Sequence, residues 1–441
     1  MAADDSLSLY VHIPFCTLKC SYCDFNSYAG IEGLMGPFVE ALCEEMGLWA
    51  PLMADRRVET VFFGGGTPSL LPLGKVERVM GAMRDAFHFA PEAEVSFEAN
   101  PGTVDGDYFR GLRALGVNRV SFGVQSFHDD ELRALDRIHS AEEAKEAYRW
   151  AREAGFERIN LDLIYGLPDP CAPLIPSIPQ DERGEASRES MERWQATLEE
   201  AIALGPEHLS LYALTVEEGT KLAHDIERGR VPGPDGDMQA AMYEWSCERL
   251  TQAGYQQYEI SNWCRPTEEC RHNLVYWRNG EWLGVGPGAH SHLLGYEKWE
   301  MGNGAVGVRF AGVYSPRRYI EQLREMVEEN RDDVPPTGSH LRVGYGERIG
   351  DVLAGMRQVA FVEEQTVEME MADTAILGLR LNDGLDGGEF SRRFGRSLEE
   401  VYGPALVETG SFGLVERKNG RVRLTERGRL LANEVFVRLL A

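Results

Sequence analysis

Three cysteines near the start of the chain, Cys16, Cys20 and Cys23, are spaced as C-x3-C-x2-C. A loop this short can bring three thiols to one metal site. A closed structural zinc site takes four ligands, and an iron–sulfur cluster is normally held by four cysteine thiolates. A cluster held by three thiolates would therefore keep one iron free to bind an outside group. The alternative is a zinc loop that takes a distant fourth ligand.

The composition is that of a globular protein with one large domain and one or two smaller ones. Of its 441 residues, 43% are hydrophobic and 10% are aromatic. The net charge of −26 argues against a surface that binds nucleic acid or anionic lipid. No apolar run reaches the ~18–20 residues that span a bilayer, and the acidic N-terminus does not resemble a signal peptide. Eight cysteines, three of them in one loop, do not suggest a disulfide framework. We therefore expect a cytoplasmic protein that is not inserted in a membrane.

The first 215 residues alternate short β-branched, apolar runs with amphipathic stretches, which predicts βαβ units and a parallel sheet. Six strands are predicted, over 7–13, 58–63, 94–98, 118–123, 157–163 and 208–213. Helices are predicted between them, near 37–50, 73–87, 105–115, 142–154 and 190–204. Because no nucleotide-binding glycine motif follows the first strand, we predict an α/β fold with a partial (β/α)6 barrel of the TIM type.

Distinctive residues follow the ends of these strands, where parallel barrels collect their functional groups. In chain order they are the three cysteines, Gly64-Gly65-Gly66-Thr67-Pro68, Glu98-Ala99-Asn100-Pro101, Gly123-Val124-Gln125-Ser126, Asn160-Leu161-Asp162 with Tyr165-Gly166, and Tyr212-Ala213-Leu214-Thr215. The glycines would let the backbone approach a ligand closely. Glu98 and Asp162 could accept hydrogen bonds from hydroxyls or an ammonium, and Arg137 could bind a carboxylate. Each residue has an ordinary structural explanation by itself, but together they fit one zwitterionic nucleoside ligand.

The order of these motifs resembles the oxygen-independent coproporphyrinogen III oxidase family of radical S-adenosylmethionine (SAM) proteins. The motifs are CxxxCxxC, GGGTP, EANP, GVQSF, LxRxH at Leu135–His139 and INxDLIYGLP at Ile159–Pro168. The resemblance covers nearly the whole chain. It implies that Cys16, Cys20 and Cys23 hold a [4Fe–4S] cluster whose free iron binds SAM. It also implies a SAM site formed by Tyr10, Tyr22, Gly65, Gly66, Thr67, Glu98, Gln125, Arg137, Asp162 and Ala213, in which Tyr22 offers a stacking surface for adenine.

A further motif, His272-Asn273-Leu274-Val275-Tyr276-Trp277, resembles the HNxxYW sequence of the haem-chaperone branch of this family. Haem iron takes His or Tyr among its axial ligands, and Trp offers a flat apolar face to a porphyrin. The resemblance therefore implies haem binding by His272, Asn273, Tyr276 and Trp277. Without the resemblance, an aromatic cluster packed on the barrel, with His272 as a hydrogen-bonding core group, is the more common arrangement.

Two features lie outside the motifs. The segment Asp169–Glu189 contains four prolines and many charged residues, which predicts a flexible surface loop, and Cys171 within it is not expected to be a ligand. Cys264 and Cys270 flank the HNxxYW sequence, and we interpret them as small packing residues rather than haem ligands.

Four regions are predicted: a barrel at 1–236, an extension with the haem motif at 237–334, a linker of uncertain structure at 335–368 and a small domain at 369–441. The small domain is predicted to be winged-helix-like, with helices at 369–381, 386–394, 397–409 and 426–440 and a hairpin around Asn419-Gly420. Its third helix has three Glu and no Lys or Arg, so we interpret the domain as a cover or partner surface rather than a DNA-binding module.

Two functions fit this family. A haem chaperone would carry haem to an acceptor such as a membrane respiratory enzyme, with the cluster, SAM and an electron donor as accessory parts. The oxidase would instead decarboxylate coproporphyrinogen III in porphyrin biosynthesis. The oxidases resemble CxxxCxxCxC, but Phe25 stands at the last of these positions, and Met1–Ser6 is shorter than their N-terminal segment. With HNxxYW, these features favour the chaperone, and we assign no catalytic residue. A zinc-bound structural protein would not explain the residues at the strand ends.

Overall fold

The first 215 residues fold into alternating strands and helices, as their apolar pattern predicts. The computed structural model of the chain describes residues 5–168, 180–295, 305–330 and 349–440. The strands of this half are β1 (Ser6–Ile13), β2 (Phe15–Cys16), β3 (Tyr28–Ala29), β4 (Arg57–Gly65), β5 (His88–Ala99), β6 (Arg119–Gln125), β7 (Ile159–Tyr165) and β8 (His208–Ala213). Its helices are α1 (Met35–Trp49), α2 (Leu73–Ala86), α3 (Gly106–Ala114), α4 (Asp129–Ala134), α5 (Ala141–Glu153) and α6 (Gln180–Leu204). All six predicted strands and all five predicted helices are present.

The next part of the chain adds elements to both sides of the sheet. Its strands are β9 (Gln256–Glu259), β10 (Asn262–Cys264), β11 (Trp282–Val285), β12 (His290–Leu294), β13 (Gly307–Gly312) and β14 (Val359–Gln365). Its helices are α7 (Lys221–Glu227), α8 (Gly236–Gln252), α9 (Arg271–Trp277), α10 (Pro316–Asn330) and α11 (Ile349–Gly355). None of the helices that the structure describes is long and apolar enough to cross a bilayer.

Twelve strands form one sheet in the order β14-β13-β12-β11-β1-β4-β5-β6-β7-β8-β10-β9. Every neighbouring pair from β11 to β8 is parallel, so the sheet has one parallel strand more than predicted. The pairs at both ends are antiparallel. No closure of the sheet is found within the described residues, in agreement with a partial barrel. The parallel strands therefore end at a common edge.

Residues along the parallel strands alternate between the apolar core and a polar interior. In β5 to β8, the apolar side chains Phe97, Phe122, Leu161 and Leu209 are fully buried in a core shared with the helices. Polar residues occupy the alternate positions of these strands, as a half-buried strand pattern requires. They are Ser96, Glu98, Ser121, Asn160, Asp162, His208 and Ser210, and they line a cavity inside the barrel.

The C-terminal elements form a small domain with its own core. They are α12 (Val367–Arg380), β15 (Leu385–Asp386), α13 (Gly387–Phe394), α14 (Leu398–Ser411), β16 (Val415–Lys418), β17 (Arg421–Leu424), α15 (Glu426–Leu430) and α16 (Ala432–Leu439). The core includes the buried side chains Phe390, Leu406 and Val435. Asn419 and Gly420 have φ of 52° and 77°, as a type I′ hairpin turn requires. The predicted winged-helix-like layout is confirmed.

Three local expectations are corrected. The predicted loop 169–189 is helical from Gln180, because the chain after Pro179 lacks proline and is rich in Glu, Arg and Ala. Residues 169–179, including Cys171, lie outside the described residues. The predicted final helix is interrupted at Leu431 (φ −117°, ψ 30°), where neither glycine nor proline marks a break. Residues 349–365, expected as linker, form α11 and the edge strand β14.

Candidate functional site

The residues that follow the parallel strands meet at one cavity of about 140 Å³. It contains all three motif cysteines. Most of the predicted SAM residues line it with them, namely Tyr22, Gly65, Gly66, Thr67, Glu98, Gln125, Arg137 and Asp162. Because the strands are parallel, their carboxyl ends bring together side chains that are more than 140 residues apart in the chain. The structure therefore brings these predicted residues to one place.

The three cysteines have different neighbours in this cavity. The Cys16 Sγ lies 3.6 Å from the Thr67 Oγ1, and the Cys20 Sγ accepts a hydrogen bond of 3.4 Å from the Arg137 guanidinium. Burial raises the pKa of the Cys23 thiol, and the nearby Cys20 and Cys16 thiols raise it further. In the described part of the chain, no three His, Cys, Asp or Glu side chains are arranged to hold a single ion. A cluster differs from a single ion in that each thiolate can bind a different iron.

The loop that carries the cysteines is fixed by contacts with distant segments. At its base, β2 pairs with β3. The Asn26 side-chain amide donates to the carbonyls of Pro287 and Tyr314, each at 2.9 Å, and the His12 Nε2 lies 2.9 Å from the Asn26 carbonyl. The glycine-rich turn after β11 therefore holds the cysteine loop in place.

The glycines of the GGGTP turn serve mainly the close packing of this turn against β1 and the cysteine loop. A Cβ on Gly66 would lie 2.7 Å from the Phe15 carbonyl oxygen. Gly65 has a φ of +106°, and a Cβ there would lie 2.5 Å from the His12 ring. Other residues would therefore be excluded even without a ligand. Both glycines still line the cavity.

Glu98 and Asp162 face this cavity, and neither forms an ion pair with a residue that the structure describes. Burial raises the pKa of Glu98 to about 8, and the neighbouring Asp162 adds to the effect. Asp162 accepts hydrogen bonds from Ser121 (3.0 Å) and Asn160 (2.8 Å), and burial raises its pKa as well. The Arg137 Nε is buried and has no hydrogen-bond partner among the described residues. The site thus offers acceptors for a cation and a donor for an anion, which suits a zwitterionic ligand.

The other two predicted SAM residues lie deeper. Ala213 lines a larger cavity of about 540 Å³ that continues into the barrel and shares Glu98 and Asp162 with the first. Tyr10, although among the described residues, lines neither cavity. Its hydroxyl is 3.1 Å from the His12 Nδ1, and its ring lies beside Phe62. Tyr10 therefore does not line the site itself, but it contacts His12 and Phe62 next to it.

The deeper cavity contains polar residues that the motifs did not identify. They include Ser96, Ser121, His208 and Ser210. These four stand at alternate positions of β5, β6 and β8, two or four residues before the strand-end residues. That period of two is visible in the sequence, but it becomes informative only when the direction of the barrel interior is known.

His272 lies inside the protein on α9 rather than on an open face. It is 1% exposed, its ring stacks on Phe62 at 5.3 Å, and burial lowers its pKa to about 3. Its Nδ1 is 2.7 Å from the Thr60 Oγ1, and its Nε2 is 2.9 Å from the Tyr276 hydroxyl. Both ring nitrogens are therefore occupied, and either would have to be released before it could bind iron.

The four HNxxYW residues do not share one pocket within the described structure. Asn273 lines the cavity inside the barrel, whereas Trp277 lines a separate cavity of about 570 Å³ beside the C-terminal domain. The structure therefore does not bring these four side chains together, because α9 lies between two cavities. Cys264 and Cys270 are buried, as expected for packing residues.

Comparisons with known proteins agree with these features. Residues 10–170 match the family model described as Radical SAM superfamily, and residues 366–431 match the HemN C-terminal domain. The heme chaperone HemW of Mycobacterium tuberculosis is 36% identical, covering 98% of this chain and 94% of the relative. HemW of Bacillus subtilis is 30% identical, covering 97% and 98%. The solved structure of coproporphyrinogen III oxidase (HemN) from Escherichia coli gives a TM-score of 0.73 at 25% identity, covering 98% of this chain and 89% of that one.

Proposed function

This chain belongs to the haem-chaperone (HemW) branch of the oxygen-independent coproporphyrinogen III oxidase family of radical SAM proteins, and from this premise we propose that it binds haem and delivers it to an acceptor protein. The observation that carries the proposal is the similarity to heme chaperones over 98% of the chain. The radical SAM domain implies a [4Fe–4S] cluster and SAM. The acceptor, for example a membrane respiratory enzyme, and an electron donor belong to the same proposal.

We assign the cluster to Cys16, Cys20 and Cys23. Three thiols around one cavity fit a cluster that keeps one iron for another ligand. When bound there, the cluster would supply an electron to SAM. Glu98 and Asp162 are placed to accept hydrogen bonds from an ammonium or ribose hydroxyls, and the unpartnered Arg137 Nε is placed to donate to a carboxylate. Thr67, Gln125 and the two glycines complete the proposed SAM pocket.

Phe25 supports the chaperone over the oxidase. Its side chain is 62% exposed and lines both cavities, at the position where the oxidase pattern has its additional cysteine. An apolar ring there cannot ligate a metal or exchange a proton. The oxidase remains the second candidate, because its structure resembles this chain closely and the 540 Å³ cavity has room for a ligand.

One experiment separates the two functions. The anaerobically reconstituted protein is given SAM and a reductant, and then either haem or coproporphyrinogen III. A chaperone should take up haem stably, pass it to a haem-free acceptor and release no carbon dioxide from the porphyrinogen. Carbon dioxide release would establish the oxidase instead. The Cys20→Ser variant is the matched control, since decarboxylation that depends on the cluster should disappear in it.

A further inference from the structure

A layer of polar side chains lies beneath the proposed SAM pocket. The parallel register places Ser121 of β6 beside Asn160 of β7, and Asn160 beside His208 of β8. All three side chains are buried, and they line the cavity of about 540 Å³ inside the barrel. Asp162 stands two residues after Asn160 on the same face of β7 and lines the pocket itself. The layer is therefore in position to control how this carboxylate is held.

The hydrogen bonds of Asn160 fix the direction in which its amide group points. The Asp162 carboxylate is an acceptor, and it takes hydrogen bonds from the Asn160 Nδ2 (2.8 Å) and the Ser121 Oγ (3.0 Å). Because the Ser121 hydroxyl has only one hydrogen, its oxygen accepts the second Asn160 N–H, at 2.8 Å. The Asn160 Oδ1 is left as an acceptor, and Ser210 donates to it at 3.1 Å. A flipped amide would instead set two acceptors against each other at Asp162.

The orientation of Asn160 determines which nitrogen of His208 carries a hydrogen. The His208 Nδ1 lies 2.7 Å from the Asn160 Oδ1, which only accepts, so the Nδ1 is the protonated nitrogen. Burial lowers the pKa of His208 well below its usual value, and the Arg119 cation adds to this effect, so the ring is neutral. The Nε2 is therefore an acceptor, and the Tyr258 hydroxyl at 2.9 Å donates to it.

Every hydrogen bond in this chain of residues points toward Asp162. Tyr258 of β9 donates to His208, His208 donates to Asn160, and Asn160 donates to the carboxylate. Burial raises the pKa of Asp162, whereas the bonds from Asn160 and Ser121 lower it, because they stabilise the charged form. Each carboxylate oxygen can accept a further hydrogen bond from a molecule in the cavity. The chain thus ends on a group that faces the ligand site.

We propose that His208 and Asn160 are positioning residues of the SAM pocket, which orient the Asp162 carboxylate to accept a hydrogen bond from the ammonium or a ribose hydroxyl of SAM. The proposal rests on the function proposed above, because it requires that SAM binds in this pocket. His208 contributes through Asn160, and Asn160 contributes through Asp162, so neither has to contact SAM. The pocket then depends on a strand, β8, that supplies none of its charged groups.

The position of the hydrogen on His208 provides a matched pair of variants. The amide nitrogen of an asparagine can take the place of the histidine Nδ1, whereas that of a glutamine reaches the place of the Nε2. His208→Asn should therefore keep the donor to Asn160, and His208→Gln should lose it. Both variants lose a buried imidazole ring, so both should be less stable than the wild type. Only the lost donor should affect SAM.

SAM is titrated into the cluster-loaded protein by anaerobic calorimetry, with the cluster oxidised so that SAM is not cleaved. His208→Gln should weaken SAM binding about 10-fold, which corresponds to about 1.4 kcal/mol, and His208→Asn should stay within about 2-fold of the wild type. The free energy of unfolding of each protein is measured with urea. His88→Gln, an exposed position at the start of β5, is the control and should change neither quantity.

A double-mutant cycle tests whether His208 acts through Asp162. Asp162→Asn keeps the shape of the side chain and removes its charge. In this background, His208→Gln should change SAM affinity by less than about 2-fold, because the group that it positions is already lost. An equal loss of affinity in both backgrounds would show that the effect does not pass through Asp162, and it would overturn the proposal.

The outcomes separate this proposal from the one on which it rests. Absence of SAM binding in the wild type would refute the proposed SAM pocket, and the positioning role with it. SAM binding in the wild type that both variants of His208 weaken equally, or that His208→Gln leaves unchanged, would overturn the positioning role alone. If His208→Gln does not fold, Ser121→Ala replaces it, since it removes a direct donor to Asp162 and only one hydroxyl. Unchanged SAM affinity in Ser121→Ala would then overturn the proposal, and a loss of several-fold would support it.

Discussion

The Arg137 guanidinium donates a hydrogen bond of 3.4 Å to the Sγ of Cys20, across 117 positions of sequence. A second nitrogen of the same group donates to the Gly123 carbonyl, so Arg137 is fixed between the end of β6 and the cysteine loop. The LxRxH and CxxxCxxC motifs therefore belong to one site. Arg137 is placed both to bind an anionic group and to influence a cluster on Cys20.

Arg137→Ala should lower the reduction potential of the cluster. Reduction adds negative charge, and a guanidinium bonded to a ligating sulfur stabilises the reduced form. The potential is measured by a redox titration followed by EPR, with Arg324→Ala on α10 as control. An unchanged potential in Arg137→Ala would show that this bond does not reach a cluster ligand.

Cys20→Ser should abolish the cluster. Anaerobic reconstitution of the wild type should give a brown protein whose EPR signal changes on addition of SAM, because SAM occupies the free iron. The variant should be colourless and without that signal. Cys43→Ser, on the outer helix α1, should behave as the wild type. A wild-type spectrum in Cys20→Ser would refute the assignment of the ligands.

Glu98→Gln should change how stability depends on pH. Burial raises the pKa of Glu98 in the folded protein to about 8, above the ordinary carboxyl value of about 4.3 in the unfolded chain. The folded state thus binds the Glu98 proton more tightly than the unfolded state does. The stabilisation that Glu98 contributes is therefore complete below about pH 4 and is lost as the pH rises through 8. The glutamine variant lacks this loss. The free energy of unfolding is measured with urea for both proteins without SAM. Between pH 5 and 8, the value for the variant should rise relative to that for the wild type by a few kcal/mol. If the free energies of unfolding of the two proteins change with pH in the same way, the raised pKa of Glu98 is contradicted.

His272→Ala should destabilise the protein by about 2–4 kcal/mol, because it removes a buried stacked ring and leaves the Thr60 and Tyr276 hydroxyls without this partner. The free energy of unfolding is measured with urea, and haem affinity is measured on the same sample. Asn273→Ala, with one long bond of 3.5 Å, should lose less than about 1 kcal/mol. Wild-type stability together with lost haem affinity in His272→Ala would instead identify His272 as a haem ligand.

Much of the barrel could be predicted because each strand carries a local signal. The alternation of apolar and polar residues in β5 to β8 predicts strands, and the helices between them require parallel pairing. The hairpin at Asn419-Gly420 was predictable for the same kind of reason, since few residues adopt two successive positive φ angles. The seventh parallel strand, β11, was not predicted, because four residues are too short for a periodic pattern. The break at Leu431 has no local signal.

The sequence by itself determined the cysteine spacing, the order of the strands and the residues at their ends, and parallel topology then requires these to meet. Only the tertiary structure decided which neighbours each side chain has. His272 has its nitrogens occupied because Thr60 from β4 and Tyr276 from its own helix lie within reach. Trp277, five residues on, opens to a cavity closed by a domain about a hundred residues further along the chain. These contacts join segments that are distant in the chain. The two faces of α9 differ because the barrel packs on one of them and the C-terminal domain on the other, which the residues of α9 alone do not determine.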